Sequence, residues 1–112
     1  VLHQFREHCK ILISVGACAV TGGVPAMRNT VPLEECLQEA FLNGPTVHGN
    51  GAIPNDPDIP MMLDRVYPAH EVVKIDYLLP GCPPPAETLW AALSALLSGN
   101  EPELSYELIK YD

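Results

Sequence analysis

Two short apolar runs dominate the hydrophobic pattern of the chain. Lys10–Val15 is a nearly continuous run of β-branched residues and leucine, and Val72–Leu79 (VVKIDYLL) is a second run, interrupted by Lys74 and Asp76. Runs of this length and composition are typical of strands buried on both faces of a parallel sheet. We therefore predict one strand at each position, the second of them with one partly polar face.

Helical patterns flank the first of these runs. The polar N-terminal segment Leu2–His8 is typical of the end of a helix, and a longer amphipathic helix follows Thr30. Thr30 is its predicted N-cap, Pro32 lies in its first turn, and Gly44 follows its end. Its apolar stripe consists of Leu33, Cys36, Leu37, Ala40 and Phe41.

A last helix is predicted over Pro83–Ser98, because Pro lies in its first turn and Gly99 follows its end. Its predicted apolar side consists of Leu89, Trp90, Leu93, Leu96 and Leu97. The acidic tail Asn100–Asp112 is expected to extend over a surface.

Two segments have the composition of loops. Ala17–Asn29 contains paired glycines and a proline, and we expect a loop there with one helical turn around Ala26–Arg28. Residues 43–68 are rich in Pro, Gly, Asn and Asp and show no periodicity. A loop of that length is commonly functional or part of an interface. Its apolar groups Ile59–Leu63 and Val66–Tyr67 either dock on a partner or cover the chain's own domain.

The order of these elements predicts an α/β fold. Strands that alternate with helices form parallel sheets with right-handed crossovers, and such sheets are normally covered on both faces. We therefore expect the C-terminal part of a doubly wound parallel sheet, with residues 1–112 belonging to one domain. The chain opens within a helix and without Met. The first strands of the sheet are accordingly expected upstream, in a portion that this chain lacks.

Charge narrows the possible functions. The 112 residues include 14 acidic and 6 basic side chains, for a net charge of −8. This balance argues against binding to nucleic acid or to an anionic membrane surface, because basic patches supply the affinity in both cases.

No apolar stretch reaches the length that spans a bilayer, and the N-terminus does not resemble a signal peptide. The four cysteines are therefore expected to be reduced, in the cytoplasm.

The four cysteines differ in their predicted positions. Cys36 lies on an apolar helical stripe, where a free cysteine packs as a small apolar residue, and Cys9 is expected to be structural as well. Cys18 in VGACAVTGG and Cys82 in LLPGCPPP each follow a predicted strand in a glycine-containing turn. Doubly wound sheets bind ligands outside the carboxyl ends of their strands. Cys18 and Cys82 are therefore the candidate binding residues.

The residues themselves leave three interpretations of Cys18 and Cys82 open: a metal or cluster site, a disulfide, or simple packing. Pro83 after Cys82 matches the Cys-Pro ending of ferredoxin ligand runs. Two thiolates are too few, however, since zinc and iron–sulfur clusters both take four ligands. His48 and His70 are expected to be exposed. Neither a nucleophile–base pair nor a phosphate-binding motif is evident, so no catalytic residue is predicted.

The same segments resemble a known family. ILISVGACAVTGGVPAMRN, VYPAHEVVKIDYLLPGCPPP and the terminal YD are similar to the C-terminal half of NiFe-hydrogenase small subunits, most of all to those of cytoplasmic NAD-reducing hydrogenases. The pairing of GACAxxGG with a later PGCPP is specific, and the resemblance covers essentially the whole chain. It implies that residues 1–112 are the C-terminal portion of a flavodoxin-like iron–sulfur domain.

The resemblance also implies a cofactor and a role. Small subunits of this family hold a proximal 4Fe–4S cluster through four cysteines, of which Cys18 matches the third and Cys82 the fourth. Two further ligands are then expected outside this chain segment, and Cys9 and Cys36 match no ligand position. Backbone amides of 17–21 and 81–82 are the expected hydrogen-bond donors to the cluster sulfurs.

The implied partners carry the remaining chemistry. The hydrogenase large subunit holds the NiFe centre, and diaphorase subunits with FMN and iron–sulfur clusters reduce NAD. In such a hydrogen:NAD⁺ oxidoreductase this chain transfers electrons and makes no bonds.

Two alternatives remain beside this interpretation. In the first alternative, the chain is the cluster-bearing subunit of a respiratory NADH:quinone oxidoreductase or of an F420- or sulfur-reducing hydrogenase. In the second, it is a flavodoxin-like FMN-binding or purely structural module. The residues upstream of Val1 distinguish the first alternative, because the quinone-reducing enzymes commonly begin their ligand set with adjacent cysteines. Iron and sulfide content distinguishes the second.

Overall fold

A computed structural model of the chain describes residues 1–109. The helices and strands are α1 (Leu2–His8), β1 (Ile13–Val15), α2 (Ala17–Thr21), α3 (Leu33–Phe41), α4 (Ala69–Val72), β2 (Tyr77–Leu79) and α5 (Ala86–Leu97). Two 3₁₀ helices cover Val24–Thr30 and Tyr106–Leu108. Helices combined with a small parallel sheet confirm the predicted α/β class. The terminal YD of the resemblance lies outside the described residues.

Both predicted strands are present and shorter than predicted. β1 and β2 pair in parallel, with Ile13 opposite Tyr77 and Val15 opposite Leu79. Residues 10–12 are not part of β1, and Val72, predicted to open the second strand, ends the short helix α4. Burial on both faces is wrong for β1, because Val15 is 43 % exposed.

An ion pair ties α1 to the N-terminal ends of both strands. The Asp76 amide donates to the Leu12 carbonyl (2.9 Å), and the Leu12 amide donates to the Asp76 carboxylate (2.8 Å). The Arg6 guanidinium binds the same carboxylate and donates to the carbonyls of Cys9 and Lys10, each at 3.1 Å. The hydrogen bond from Arg6, followed by that from Leu12, holds the pKa of Asp76 below its usual value.

This ion pair predicts how stability depends on pH. A carboxylate whose pKa is lower in the folded state stabilises the fold above its unfolded pKa of about 3.9, and this contribution disappears as pH falls through the folded-state pKa. We expect Asp76→Asn to lower the urea midpoint at pH 7 only slightly, because exposed ion pairs contribute little free energy, and to flatten its decline between pH 5 and pH 2. Asp58→Asn, at an exposed loop carboxylate, is the control. A pH dependence unchanged by Asp76→Asn would contradict the assignment.

The segment after β1 is more helical than predicted. The helical turn predicted around Ala26–Arg28 is confirmed by the 3₁₀ helix Val24–Thr30, but the loop predicted around Cys18 is wrong, because Cys18 lies in the first turn of α2. α2 ends at Gly22, which adopts the left-handed conformation (φ +90°) and donates its amide to the Cys18 carbonyl at 3.1 Å. A glycine in this position is a common end for a helix, because it has no Cβ to oppose the positive φ.

α3 forms where its apolar stripe predicts, but it begins differently. Thr30, the predicted N-cap, belongs to the 3₁₀ helix, and its hydroxyl donates to the Met27 carbonyl at 2.9 Å. Pro32 occupies the N-cap position instead, without a side-chain hydrogen bond. Cys36 is half-buried on the stripe, while Phe41 at its end is exposed.

α5 presents several of its large apolar side chains outwards. Thr88 and Ala92 are the buried residues of this helix, with 0 % and 1 % exposure, whereas Trp90 is 75 % and Leu97 is 88 % exposed. The predicted apolar side is therefore wrong at Trp90, Leu93 and Leu97. Thr88 lies on the face of α5 that points inward. Its hydroxyl donates to the Leu108 carbonyl at 2.6 Å and so binds the C-terminal segment.

We expect Thr88→Val to destabilise the protein by about 1–3 kcal/mol, because it keeps the side-chain shape and leaves the Leu108 carbonyl without its donor. Equilibrium denaturation in urea measures the difference, with Thr46→Val at an exposed loop threonine as the control. Equal midpoints for the two variants would show that this hydrogen bond makes no net contribution.

The chain divides into two compact units. The first consists of Val1–Val24 and Tyr67–Asp112 and contains the sheet; the second is Pro25–Val66 and contains α3. In the second unit, Arg28 donates to the carbonyls of Leu63 and Asp64 at 2.6 and 3.1 Å. These hydrogen bonds tie the long loop to its own unit. Residues 43–68 form no helix or strand, as predicted.

α3 and the loop enclose an apolar cleft of about 500 Å³. Leu37 and Phe41 line it from the helix, and Ile53, Ile59 and Met62 line it from the loop. The apolar group at 59–63 thus covers part of its own unit while remaining largely exposed, with Met61 at 92 %. None of the helices within residues 1–109 combines the length and apolar character that a bilayer crossing requires.

Candidate functional site

The two candidate cysteines occupy equivalent places in the sheet. Cys18 lies three residues after the end of β1, and Cys82 lies three residues after the end of β2. Because the strands are parallel and their last residues are in register, both segments leave the same edge of the sheet. Both thiols are free and exposed. The structure thus places the two cysteines at the edge where doubly wound sheets bind their ligands.

Backbone hydrogen bonds join the two cysteine segments beyond the strands. The Gly16 amide donates to the Leu79 carbonyl, and the Ala17 amide donates to the Gly81 carbonyl, both at 2.8 Å. The ladder between β1 and β2 therefore continues up to the residues directly before Cys18 and Cys82. This continuation fixes the beginning of α2 against the loop that carries Cys82.

Gly81 makes the turn at Cys82 possible. It is buried with φ +130°, and a Cβ built on it would lie 2.6 Å from the Pro84 Cα and 2.8 Å from the Pro84 nitrogen. The loop therefore folds back on its own backbone at this point, and any side chain at position 81 would collide with it. The peptide bond between Cys82 and Pro83 is cis.

The backbone amides near Cys18 are largely engaged within the protein. Ala17 donates to Gly81, and Ala19 and Val20 donate to the Gly16 carbonyl at 3.1 and 3.0 Å. The prediction that the amides of 17–21 donate to cluster sulfurs is therefore wrong for these three. The Ala17 amide binds the segment that carries Cys82, and the amides of Ala19 and Val20 close the first turn of α2.

The donor set of the site consists of two thiols. Within residues 1–109, the His, Cys, Asp and Glu side chains form no group of three or more that would hold a metal ion. Two exposed sulfurs, one on α2 and one on the loop after β2, fit half of the four-cysteine ligand set of a 4Fe–4S cluster. They do not fit a complete zinc site. The described residues are thus chemically suited to share a cluster with thiolates from outside this range.

The remaining cysteines and histidines lie in different settings. Cys9 is half-buried directly after α1, with its sulfur 4.0 Å from the Arg6 carbonyl, and Cys36 is half-buried on α3. His48 and His70 are exposed, as predicted. The ion pair between Arg6 and Asp76 was not predicted from the sequence. Its indication there is Asp76 itself, a carboxylate inside an otherwise apolar run.

The chain resembles known proteins in both sequence and structure. The profile of the family described as NADH ubiquinone oxidoreductase, 20 Kd subunit, matches residues 1–96. The NAD-reducing hydrogenase HoxS subunit delta of Cupriavidus necator is 50 % identical over 113 residues, which is 99 % of this chain and 54 % of that protein. A subunit of the F420-non-reducing hydrogenase of Methanothermobacter thermautotrophicus is 42 % identical, over 90 % of this chain and 33 % of that protein.

A solved structure shows the same fold. A chain from the crystal structure of an NAD⁺-reducing [NiFe]-hydrogenase in the H₂-reduced state superposes with a TM-score of 0.95 at 44 % identity. The match covers 99 % of this chain and 62 % of that one. The chain thus spans about half the length of its first curated relative and less than two thirds of the solved one.

The close approach of the Pro84 backbone to Gly81 predicts that Gly81→Ala strongly destabilises the protein. Gly81→Ala places a methyl group against the Pro84 backbone in a conformation that costs about 1–3 kcal/mol for residues other than glycine. We expect a loss of stability beyond that range, measured by urea denaturation. Gly99→Ala is the control, because Gly99 also has positive φ (+77°) but nothing within 4 Å of an added Cβ. Equal losses in both variants would exclude the collision at Pro84.

Proposed function

The chain belongs to the family described as NADH ubiquinone oxidoreductase, 20 Kd subunit, and on this premise we propose that it is part of the electron-transfer small subunit of an NAD-reducing NiFe hydrogenase. The identity of 50 % to a subunit of such an enzyme and the TM-score of 0.95 to a chain of another support the proposal. On this proposal, residues 1–112 are the C-terminal portion of a single flavodoxin-like domain in the cytoplasm.

One observation carries the proposed function. Cys18 and Cys82 are exposed at the same edge of the sheet, on segments joined by the hydrogen bond from Ala17 to Gly81. Their thiolates would bind two iron atoms of a proximal 4Fe–4S cluster, and two further cysteines outside the described residues would complete the ligand set. The cluster accepts and releases single electrons, so this chain requires no catalytic acid, base or nucleophile.

The chain's own residues determine how the thiolates are held. Hydrogen bonds between the two segments fix the distance between the backbones that carry them. Leu79, Pro80, Gly81 and Pro84 around Cys82 are buried, so the loop has little freedom to move. A binding site is precise when packing and hydrogen bonds hold its ligands rigidly, as they do here.

Partner subunits are expected on the exposed apolar surfaces. Trp90 and Leu97 on α5, and Met61 on the long loop, leave large apolar side chains in water. Trp90 and Leu97 lie two turns apart on one face of α5, and exposed apolar patches of this kind commonly mark an interface between proteins. We propose that the hydrogenase large subunit with its NiFe centre, and diaphorase subunits with FMN that reduce NAD, cover these surfaces.

The family description also favours a second candidate function, the cluster-bearing subunit of a respiratory NADH:quinone oxidoreductase. The two functions use the same cysteines, so cluster content does not separate them. Hydrogen-dependent reduction of NAD by the purified complex supports the first function, and NADH-dependent reduction of quinone without hydrogenase activity supports the second.

The cysteine assignment is tested by substitution in the complete complex. We expect Cys18→Ser and Cys82→Ser each to remove about four iron and four sulfide per complex, the content of one 4Fe–4S cluster. Iron and acid-labile sulfide analysis, with EPR of the reduced complex, measures the loss. The matched controls are Cys9→Ser and Cys36→Ser, which remove half-buried thiols elsewhere in the chain. Retention of the cluster and of hydrogen-dependent NAD reduction in both ligand variants would contradict the assignment.

A further inference from the structure

Gly23 lies against the sulfur of Cys18. A Cβ built on Gly23 would be 3.2 Å from the Cys18 Sγ, 3.2 Å from its Cα and 3.1 Å from its amide nitrogen. These separations are shorter than ordinary van der Waals contacts, so a side chain at position 23 would displace its neighbours. We propose that Gly23 is a positioning residue, whose missing side chain determines where the Cys18 sulfur points. This inference rests on the proposed role of Cys18 as a cluster ligand.

The backbone brings Gly23 to Cys18 by a tight reversal. α2 ends at Gly22, whose amide donates to the Cys18 carbonyl, and Gly23 itself has φ +50°. The Gly23 amide donates to the Thr21 hydroxyl at 3.4 Å, and that hydroxyl donates to the Ala17 carbonyl at 3.0 Å. Gly23 is therefore tied to the first residue of the helix that carries Cys18.

These contacts limit the ways in which a methyl group at position 23 can be accommodated. Moving the helix away would strain the hydrogen bond from Ala17 to Gly81, and moving the turn away would strain the bonds through Thr21. The Cys18 sulfur is the one atom of the three neighbours that moves by rotation about a single side-chain bond. We therefore expect the thiolate to change direction, which alters the bond angles at the iron it binds.

Two other glycines provide matched controls. Gly99 and Gly49 have φ of +77° and +78°, and nothing lies within 4 Å of a Cβ built on either. Alanine at either position, as at Gly23, forces a residue with a side chain to adopt a positive φ. Unlike alanine at position 23, it contacts no thiol. A difference between Gly23→Ala and the two controls therefore reports the contact with Cys18 rather than backbone strain.

The experiment compares Gly23→Ala, Gly99→Ala, Gly49→Ala and Cys18→Ser in the complete complex. The measurements are iron content, the EPR spectrum and midpoint potential of the reduced proximal cluster, the rate of iron loss to a chelator, and thermal unfolding. We expect Gly23→Ala to retain its iron, to shift the EPR spectrum and the potential, and to lose iron on the order of tenfold faster, as for other changes beside a metal ligand. Gly99→Ala and Gly49→Ala are expected to match the unmodified complex in all cluster measurements.

The outcomes separate this inference from the proposed function. If Cys18→Ser retains the cluster, the ligand assignment fails and the inference fails with it. If Cys18→Ser loses the cluster while Gly23→Ala changes only the unfolding temperature, the ligand assignment stands and the positioning role is overturned. If Gly23→Ala does not assemble, Thr21→Val decides, because it keeps the side-chain shape and removes the hydroxyl that links Gly23 to the Ala17 carbonyl. A shifted EPR spectrum in Thr21→Val then supports the inference, and an unchanged one overturns it.

Discussion

The parallel pairing of β1 with β2, extended by the bonds from Gly16 to Leu79 and from Ala17 to Gly81, is the constraint on which the site depends. Each strand has only three residues, so the pairing supplies few hydrogen bonds by itself. The two additional bonds beyond the strands hold the cysteine segments together. Without them, Cys18 and Cys82 would lie on independent loops, and their separation would vary with the motion of each loop.

The opposite end of the sheet is held by an ion pair in addition to the backbone hydrogen bond from Asp76 to Leu12. Arg6 binds the Asp76 carboxylate, which also accepts the Leu12 amide, so a helix and both strands meet at one ion pair. An exposed ion pair contributes little free energy. Its hydrogen bonds join α1 to the residues directly before both strands, whose other ends lead to the thiols.

Much of this arrangement was predictable from the sequence, for identifiable reasons. The strands were located because their apolar runs are continuous, and the equivalence of Cys18 and Cys82 followed from their places after those runs. The helix around Cys18 was missed because ACAVT, between glycines, has too few residues to show a period. The burial on α5 was also misjudged. Trp90 and Leu97 have the composition of a core, but the C-terminal segment binds the face of Thr88 through a hydrogen bond that apolar periodicity does not indicate. The contact between Gly23 and Cys18 depends on the reversal at Gly22, and spacing along the chain gives no measure of it.

The exposed apolar side chains of α5 affect the stability of this chain. Trp90 and Leu97 together expose apolar area that would contribute about 25 cal/mol per Å² if it were covered. That free energy is gained only when a partner binds. The stability of the chain would then depend on the concentration of that partner. On the proposed function, the chain is therefore less stable when partner subunits are absent than when they cover that face. A chain without such partners is then unfolded more often, and unfolded chains are the form that cellular proteases degrade.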